Sequence, residues 1–468
     1  MQRDALEQLN RSLPAGEAVT SLGSALFGPK LTVDRYQLSN GLQVLLCEDH
    51  SAPVIAYHTW FRVGSRHERV GKTGLAHLFE HLMFNETENL PKGEFDRRLE
   101  EVGAETNAST WLDWTHYNVA VPRDGLALVI ALEAERMGAL VLKQPQLDSE
   151  KEVVANERRF RVDDDVEGTI NELLWATAFK RHPYHHPTIG WMADIEGFTT
   201  DDCMSFYQAY YAPNNACVVA VGDLDAADLL RQMSKAYAHL RAFEPPLEDA
   251  WPEPAQREER RLEITQPTAT HKVALAYHSP ALGDYDHVPL TLLSEVLTGG
   301  RASRLYDHLI TDLELASEVR TYLGPFRDPG LFEVYASARE SISAERLLTV
   351  IDAELERLTR EPVPAAELAR ACARHELGLL GGLENVDGKA STIGFYETVL
   401  GRPGAAFERL EAMQRVTPSD LLRVARRYLQ QEQRTCIIVR PRASVDASPD
   451  TLGSSDETLI GSAGETVA

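Results

Sequence analysis

The strongest constraint on the fold is an internal repeat, because two similar halves are expected to fold into two similar units. Residues 416–441, VTPSDLLRVARRYLQQEQRTCIIVRP, resemble residues 198–223, FTTDDCMSFYQAYYAPNNACVVAVGD, and each stretch reads as a helix that runs into an apolar strand. Residues 290–300, LTLLSEVLTGG, similarly resemble residues 75–85, LAHLFEHLMFN. Both pairs are offset by about 215 to 218 residues. The repeat predicts a duplicated α+β unit, and a length of 468 residues agrees with two domains.

The other boundaries follow from local composition. Residues 1–30 show little hydrophobic pattern and are predicted to be a leader, after which residues 31–241 form the first domain. Residues 242–261, AFEPPLEDAWPEPAQREERR, are rich in proline and charge, which is typical of an interdomain linker, although a long surface loop has the same composition. Residues 262–443 form the second domain, and the small, polar and acidic residues 444–468 are predicted to be a disordered tail.

Composition excludes several classes of protein. A formal net charge of −24 argues against a nucleic-acid partner, because neutralising phosphates requires clustered lysine and arginine. No segment approaches a run of about 18 apolar residues, so no membrane span is predicted. The N-terminus lacks the basic and apolar segments of a signal peptide, and the five cysteines are scattered. These features predict a cytoplasmic protein with reduced thiols and no cysteine-rich zinc module.

Residues 74–84, GLAHLFEHLMF, form an apolar helical pattern that is interrupted by His77, Glu80 and His81. Histidines four residues apart lie on the same face of a helix, where two imidazoles can bind one metal ion. Glu80 lies beside the second histidine and is a candidate to activate water. Hydrogen-bonded core histidines are the alternative, but three unpaired ionisable groups on an apolar helix would be costly. The matching helix of the second half has Leu292 in place of His77, so the metal site is predicted in the first half only.

A third metal ligand is needed, because catalytic zinc sites usually combine three protein ligands with an open position for water. Residues 146–161, QLDSEKEVVANERRFR, look like a helix that carries Glu150 and Glu157 seven residues apart. Seven residues are nearly two helical turns, so both carboxylates face the same side. We assign Glu157 as the third ligand of one zinc ion and Glu150 as a partner that orients a ligating histidine.

The motif HLFEH, which is followed 76 residues later by the glutamate of VVANER, has the H-x-x-E-H order of inverted zincins. It resembles the pitrilysin-type zinc metallopeptidases, in particular the two-domain branch that includes mitochondrial processing peptidase. The resemblance extends from about Leu31 to Pro441. It includes four further segments, which are residues 103–122, 182–195, 210–225 and 299–309.

The resemblance implies a fold, an activity and a set of roles. The implied fold is a pair of homologous α+β domains, each an antiparallel β-sheet flanked by α-helices. The implied activity is zinc-dependent hydrolysis of peptides or unfolded polypeptide segments. His77, His81 and Glu157 are implied as the ligands of one Zn²⁺ ion per chain. Glu80 is implied as the general base, with Glu150 supporting the site.

The segment ETNASTWLDWTHYNV resembles the substrate-binding edge strand of this family, to which an extended peptide can add by main-chain hydrogen bonds. We predict that Asn107 lies near the scissile bond, although an asparagine in a turn or at the end of a strand is the simpler interpretation. The residues predicted to bind substrate are Asn107, Ala108, Ser109 and Thr110.

One departure from the family pattern concerns the second half. Active members usually carry an arginine and a tyrosine, seven residues apart, that hold the substrate. This chain has Ile310 and Ser317 at the matching positions, while Arg301 and Arg304 lie nearby and are candidates to substitute. An intact metal motif beside a missing clamp implies a heterodimer in which a homologous partner without zinc supplies the clamp. A homodimer stays open.

Two other functions use the same fold. One is a non-catalytic core or scaffold subunit, and the other is a peptide-binding subunit that keeps zinc for structural reasons. Such subunits typically have degraded motifs, whereas all five site residues are present in this chain. The sequence therefore favours the peptidase.

Overall fold

The computed structural model of the protein describes residues 3–244, 246, 248 and 251–442. The chain folds into two α+β domains, each built on one β-sheet that packs against helices. The predicted fold class is confirmed. Within the described ranges, no helix is long and apolar enough to cross a lipid bilayer. The predicted tail, residues 444–468, lies outside the described residues.

The elements of the first half are numbered in chain order. Its strands are β1 (Thr20–Phe27), β2 (Leu31–Gln37), β3 (Gln43–Glu48), β4 (Val54–Phe61), β5 (Glu105–Thr110), β6 (Thr115–Pro122) and β7 (Ala216–Gly222). Its helices are α1 (Arg3–Ser12), α2 (Leu75–Leu82), α3 (Glu94–Glu101), α4 (Leu126–Gly138), α5 (Gln144–Arg158), α6 (Val166–Ala178), α7 (Met192–Glu196), α8 (Thr200–Tyr210) and α9 (Ala226–Tyr237). A π-helical turn, Arg159–Asp163, continues α5.

The second half follows the same numbering. Its strands are β8 (Arg260–Gln266), β9 (Lys272–His278), β10 (Ala316–Leu323), β11 (Leu331–Ala338) and β12 (Arg434–Pro441). Its helices are α10 (His287–Thr298), α11 (Arg304–Tyr306), α12 (Ala344–Arg360), α13 (Ala365–Gly382), α14 (Val386–Leu400), α15 (Ala405–Gln414) and α16 (Pro418–Tyr428).

The two sheets share one strand order, which accounts for the repeat in the sequence. The first sheet has the order β1-β2-β3-β7-β4-β6-β5, and the second has the order β10-β11-β9-β12-β8. Read from its other end, the second sheet matches the last five strands of the first sheet, from β3 to β5. The helices that lead into β7 and β12 both begin with a capping box, Thr199 with Asp202 and Thr417 with Asp420. The duplicated unit predicted from the sequence is therefore present.

Both sheets are mixed rather than purely antiparallel, which corrects the predicted sheet type. β3 pairs with β7 in parallel, as β8 does with β12, while the other neighbouring strands run antiparallel. Parallel neighbours need a long crossover connection. Here most of each half lies between the two paired strands.

Residues 3–30 of the predicted leader, residues 1–30, are part of the first domain. α1 places Leu9 in the core of this domain, and β1 pairs with β2 from Thr20 to Phe27. β1 is the outermost strand of the sheet and most of its residues are exposed. It therefore lacks the alternating pattern that identifies a half-buried strand in a sequence.

The predicted linker, residues 242–261, is bonded to both halves of the chain. The Glu253 carboxylate accepts a hydrogen bond from the backbone N–H of Arg181 at 2.8 Å. Gln256 Nε2 donates to the carbonyl oxygen of Arg434 at 2.6 Å. The last two residues of the predicted linker belong to β8. The described part of this segment is thus a strap along the surface and not a free hinge.

The two halves exchange one helix each, which the sequence did not predict. α14 from the second half packs on the outer face of the first sheet, where Ile393 joins a core that includes Trp60. α6 from the first half packs on the second sheet, where Leu174 joins a core that includes Ile437. Each predicted domain therefore covers one face of the other domain's sheet.

Polar contacts and a close approach fix α14 on the first sheet. A Cβ atom at Gly394 would lie 2.1 Å from Trp60 Nε1, so only glycine allows the helix to come this near. The polar pairs between α14 and the first domain are Asp387 with His58 (2.9 Å), Glu397 with Arg35 (2.6 Å) and Lys389 with Asp49 (2.6 Å). The exchanged helix is thus anchored by packing and by charge.

We expect the replacement Ile393→Ala to lower the free energy of unfolding by about 2–5 kcal/mol, because it leaves a cavity at a fully buried position between α14 and the first sheet. The matched control is Leu377→Ala on α13, where the side chain is 72% exposed and the expected change is within about 0.5 kcal/mol. Urea unfolding measures both. Equal stability of the two variants would contradict the importance of the exchanged helix.

Candidate active site

Two neighbouring helices bring the predicted site residues together. α2 carries His77, Glu80 and His81, and α5, which packs against α2, carries Glu150 and Glu157. α2 begins directly after Gly74, whose left-handed backbone (φ 95°) suits a glycine at this turn. All five side chains therefore meet in one region, between the helices and the end of β5.

The proposed metal ligands face one another. Glu157 Oε2 lies 3.4 Å from His81 Nε2 and 3.6 Å from His77 Nε2. One ligand atom from each of the three residues lies within 4.8 Å of the other two. Two imidazoles and one carboxylate are a donor set that binds catalytic zinc in proteins. The arrangement thus fits one metal ion, and the partial exposure of His81 leaves a side open to water.

Glu150, the predicted supporting residue, lies beside His81. Its Oε2 atom lies 3.8 Å from His81 Nδ1, on the ring edge opposite the atom that faces Glu157. Its Oε1 atom accepts hydrogen bonds from Asn85 Nδ2 and Lys92 Nζ, both at 3.1 Å. These contacts hold the carboxylate against the histidine, as is usual for residues that orient a metal ligand.

The environment of α2 determines the protonation states of Glu80 and His77. Burial raises the pKa of Glu80 above its ordinary value, and the neighbouring Thr110 hydroxyl partly offsets this effect. Burial lowers the pKa of His77 to about 4, although the Glu157 carboxylate opposes it. His77 is therefore neutral near pH 7, which is the form that binds a metal. A carboxyl group with a raised pKa is suited to accept and return a proton.

The predicted substrate-binding segment is an edge strand. Within the described residues, β5 pairs only with β6, so one edge of β5 keeps unpaired backbone groups. Thr110, at the end of this strand, lies beside Glu80. The free edge is therefore next to the candidate general base.

The Asn107 side chain does not face the proposed metal ligands, and the place of Asn107 near the scissile bond stays a prediction. Asn107 is directly opposite Asn118 on β6, so the two side chains project from the same face of the sheet. Asn118 Nδ2 contacts Asp387 of α14 at 3.5 Å, on the face opposite α2. Ala108 and Thr110 project toward α2, whereas Asn107 and Ser109 project away, following the alternation of the strand. Only the backbone of Asn107 belongs to the free edge.

A buried carboxylate that sequence reasoning missed anchors α2. Glu68 accepts hydrogen bonds from the backbone N–H groups of Gly74 (2.8 Å) and Ala76 (2.7 Å) at the start of the helix. Its side chain has no solvent exposure, and burial raises its pKa well above the ordinary value. An acidic residue a few positions before a helix is the signal that could have identified it. Glu68 thus fixes the start of the helix that carries both histidines.

The residues at the expected clamp positions, and Arg304 near them, make contacts within the second domain. Ile310 packs against the core of the second domain, and the Ser317 hydroxyl donates to the carbonyl oxygen of Ser337. Arg304 forms ion pairs with Glu354 (2.9 Å) and Glu367 (2.6 Å). Its guanidinium is therefore engaged inside the second domain.

Comparison with known proteins identifies the family of this chain. The family model "Insulinase (Peptidase family M16)" matches residues 43–191, and "Peptidase M16 inactive domain" matches residues 197–374. The zinc protease PqqE of Helicobacter pylori is 33% identical over 411 residues, which cover 86% of this chain and 92% of that protein. This chain belongs to the M16 peptidase family. The pitrilysin-type resemblance predicted from the sequence is confirmed.

Solved structures support the fold of this M16 chain. The crystal structure of a protease from Helicobacter pylori matches it with a TM-score of 0.83 at 33% identity, covering 87% of this chain and 99% of that one. A peptidase M16 inactive domain from Pseudomonas fluorescens matches with a TM-score of 0.80 at 19% identity, covering 88% and 98%. At that identity the second match shows the fold alone.

We expect Glu68→Ala to lower the free energy of unfolding by about 1–3 kcal/mol, because it leaves two buried N–H groups of the M16 chain without an acceptor. Zinc binding should weaken in parallel, since α2 carries both histidines. The control is Glu100→Ala, which removes an exposed carboxylate of α3. Thermal unfolding and a zinc titration would report the two effects, and a variant as stable as the control would refute the anchoring role.

Proposed function

We propose that this chain is a zinc-dependent metalloendopeptidase that hydrolyses peptides or unfolded polypeptide segments. The observation that carries the proposal is the convergence of His77, His81 and Glu157 beside Glu80, a carboxyl group with a raised pKa. The Helicobacter pylori relative is named a zinc protease, which supports the same chemistry.

The roles follow from the geometry. His77, His81 and Glu157 would hold one zinc ion, which supplies Lewis acidity that acidifies water and polarises a carbonyl group. Glu80 takes a proton from the attacking water and delivers it to the departing amine, as peptide hydrolysis requires. Glu150 keeps the His81 ring in its ligating orientation.

The free edge of β5 is the proposed binding surface for the substrate. An extended peptide would add to this edge by main-chain hydrogen bonds along Asn107–Thr110, with no demand on its sequence. Because Thr110 lies beside Glu80, a peptide bound there would pass the general base. We also propose a cytoplasmic location, on the ground that the five cysteines are free thiols.

We expect Glu80→Gln to reduce peptide hydrolysis by about 10²–10⁴-fold, because the amide cannot accept a proton. Zinc binding should be unchanged, since Glu80 is not one of the converging ligands. The control is Glu100→Gln at an exposed position of α3. Peptide cleavage and metal content are measured on the same preparations. Wild-type cleavage that Glu80→Gln does not reduce would rule out this mechanism.

A non-catalytic scaffold or peptide-binding subunit is the second candidate function. It is favoured by one observation, the absence of an arginine and a tyrosine at positions 310 and 317, within the region matched by the model named for the inactive domain. A complete absence of zinc-dependent cleavage, with or without a partner, would select this candidate over the peptidase.

We further propose that the chain works as the catalytic subunit of a heterodimer with a homologous chain that lacks zinc and supplies the arginine and tyrosine. The support is the pairing of a complete ligand set with Ile310 and Ser317 at the clamp positions. The purified chain alone should show little peptidase activity, and adding the partner should restore it. Efficient turnover by the chain alone, with both positions unchanged, would refute the heterodimer in favour of a self-sufficient monomer or homodimer.

A further inference from the structure

The two oxygens of the Glu157 carboxylate have different partners. Oε2 faces His77 and His81 at 3.6 and 3.4 Å. Oε1 lies 3.0 Å from Nη1 of Arg161, four residues later in the chain. The carboxylate is thus held between the histidine pair and one cation.

The backbone that carries Arg161 is tightly confined. Arg161 lies in the π-helical turn after α5, a conformation that is rare and often found at functional sites. A Cβ atom at Gly168 of α6 would lie 1.9 Å from the Arg161 carbonyl oxygen, so α6 packs directly on this turn. The Thr169 hydroxyl also donates to the carbonyl oxygen of Val162 at 2.8 Å. The backbone at Arg161 is therefore held in place, although its side chain is 69% exposed.

The neighbouring arginines of the same segment have other partners. Arg158 is buried and pairs with Glu172 at 2.7 Å. Arg159 is exposed, and its Nη1 atom donates a hydrogen bond to Asn156 Oδ1 at 2.7 Å. Of these three arginines, Arg161 alone contacts Glu157 in the described part of the chain. The π-helical turn places it there, and Arg159 provides a matched control.

Glu150, the other α5 carboxylate that faces the histidines, is paired with a cation in the same way. Glu150 presents Oε2 to His81 and has Lys92 Nζ at 3.1 Å from Oε1. Each carboxylate therefore directs one oxygen toward the histidines while a cation holds the other. This arrangement fixes the orientation of both carboxylates, as hydrogen-bonding partners around a metal site usually do.

We propose that Arg161 is a positioning residue of the metal centre. Its ion pair with Oε1 of Glu157 leaves Oε2 as the single carboxylate oxygen that faces His77 and His81, and so favours binding through one oxygen. This inference rests on the proposed zinc site, but it makes a separate claim about how tightly and in what geometry the metal is held.

The experiment measures zinc affinity of the full-length chain by competition with a chelator. We expect Arg161→Gln to weaken zinc binding by about 10–100-fold, as is typical when a partner of a metal ligand is removed. Arg161→Lys keeps the charge and should lie between Arg161→Gln and the wild type. Arg159→Gln, on the same turn, should bind zinc as the wild type does. Thermal unfolding without metal shows whether each variant is folded. If Arg161→Gln does not fold, the zinc affinity of Arg161→Lys decides whether Arg161 positions the metal ligand.

A second readout separates positioning from general structure. Cobalt(II) bound in place of zinc has a visible spectrum that depends on its ligands, and this spectrum should change for Arg161→Gln but not for Arg159→Gln. Folded Arg161→Gln protein with wild-type zinc affinity and a wild-type cobalt spectrum would overturn the inference while leaving the peptidase proposal intact. A wild-type chain that binds no zinc would overturn both.

Discussion

The covering of each sheet by a helix from the opposite half is the interaction on which the rest of the structure depends. Both sheets have two apolar faces, and leaving either face in water would cost a large part of the stability of the fold. α6 closes the second sheet and α14 closes the first. Because α6 directly follows the π-helical turn, its docking also determines where α5 ends. The position of Glu157 is therefore tied to the packing of the other domain.

The site itself is assembled from groups that are costly to bury. Glu68, His77 and Glu80 lie in or near an apolar core. Burial raises the pKa of the two glutamates and lowers the pKa of His77, and both shifts favour the neutral form. Backbone N–H groups stabilise Glu68, and a cation pairs with each of Glu150 and Glu157 on α5. Such an arrangement is expected where chemistry rather than stability has selected the residues.

Much of the fold and of the candidate site could be predicted because it is encoded in local spacing. Histidines at i and i+4 share a helix face, and so do glutamates at i and i+7. The capping boxes of the two halves have the same residue types, threonine and aspartate, at matching positions in the sequence. The features that were missed depend on contacts between distant segments. β1 has no alternation because it is an exposed edge, and the helix exchange leaves no local pattern at all. The orientation of Asn107 follows from its register with Asn118, which only the paired strands reveal.

The strap between the halves, together with the exchanged helices, makes the connection between the domains redundant. Glu253 and Gln256 attach the strap to Arg181 and Arg434, but α6 and α14 already interlock the two sheets without it. A proteolytic nick in this segment would leave the molecule assembled, held by the packing and the ion pairs of the exchanged helices. The same redundancy makes the fold a natural candidate for expression as two fragments that associate.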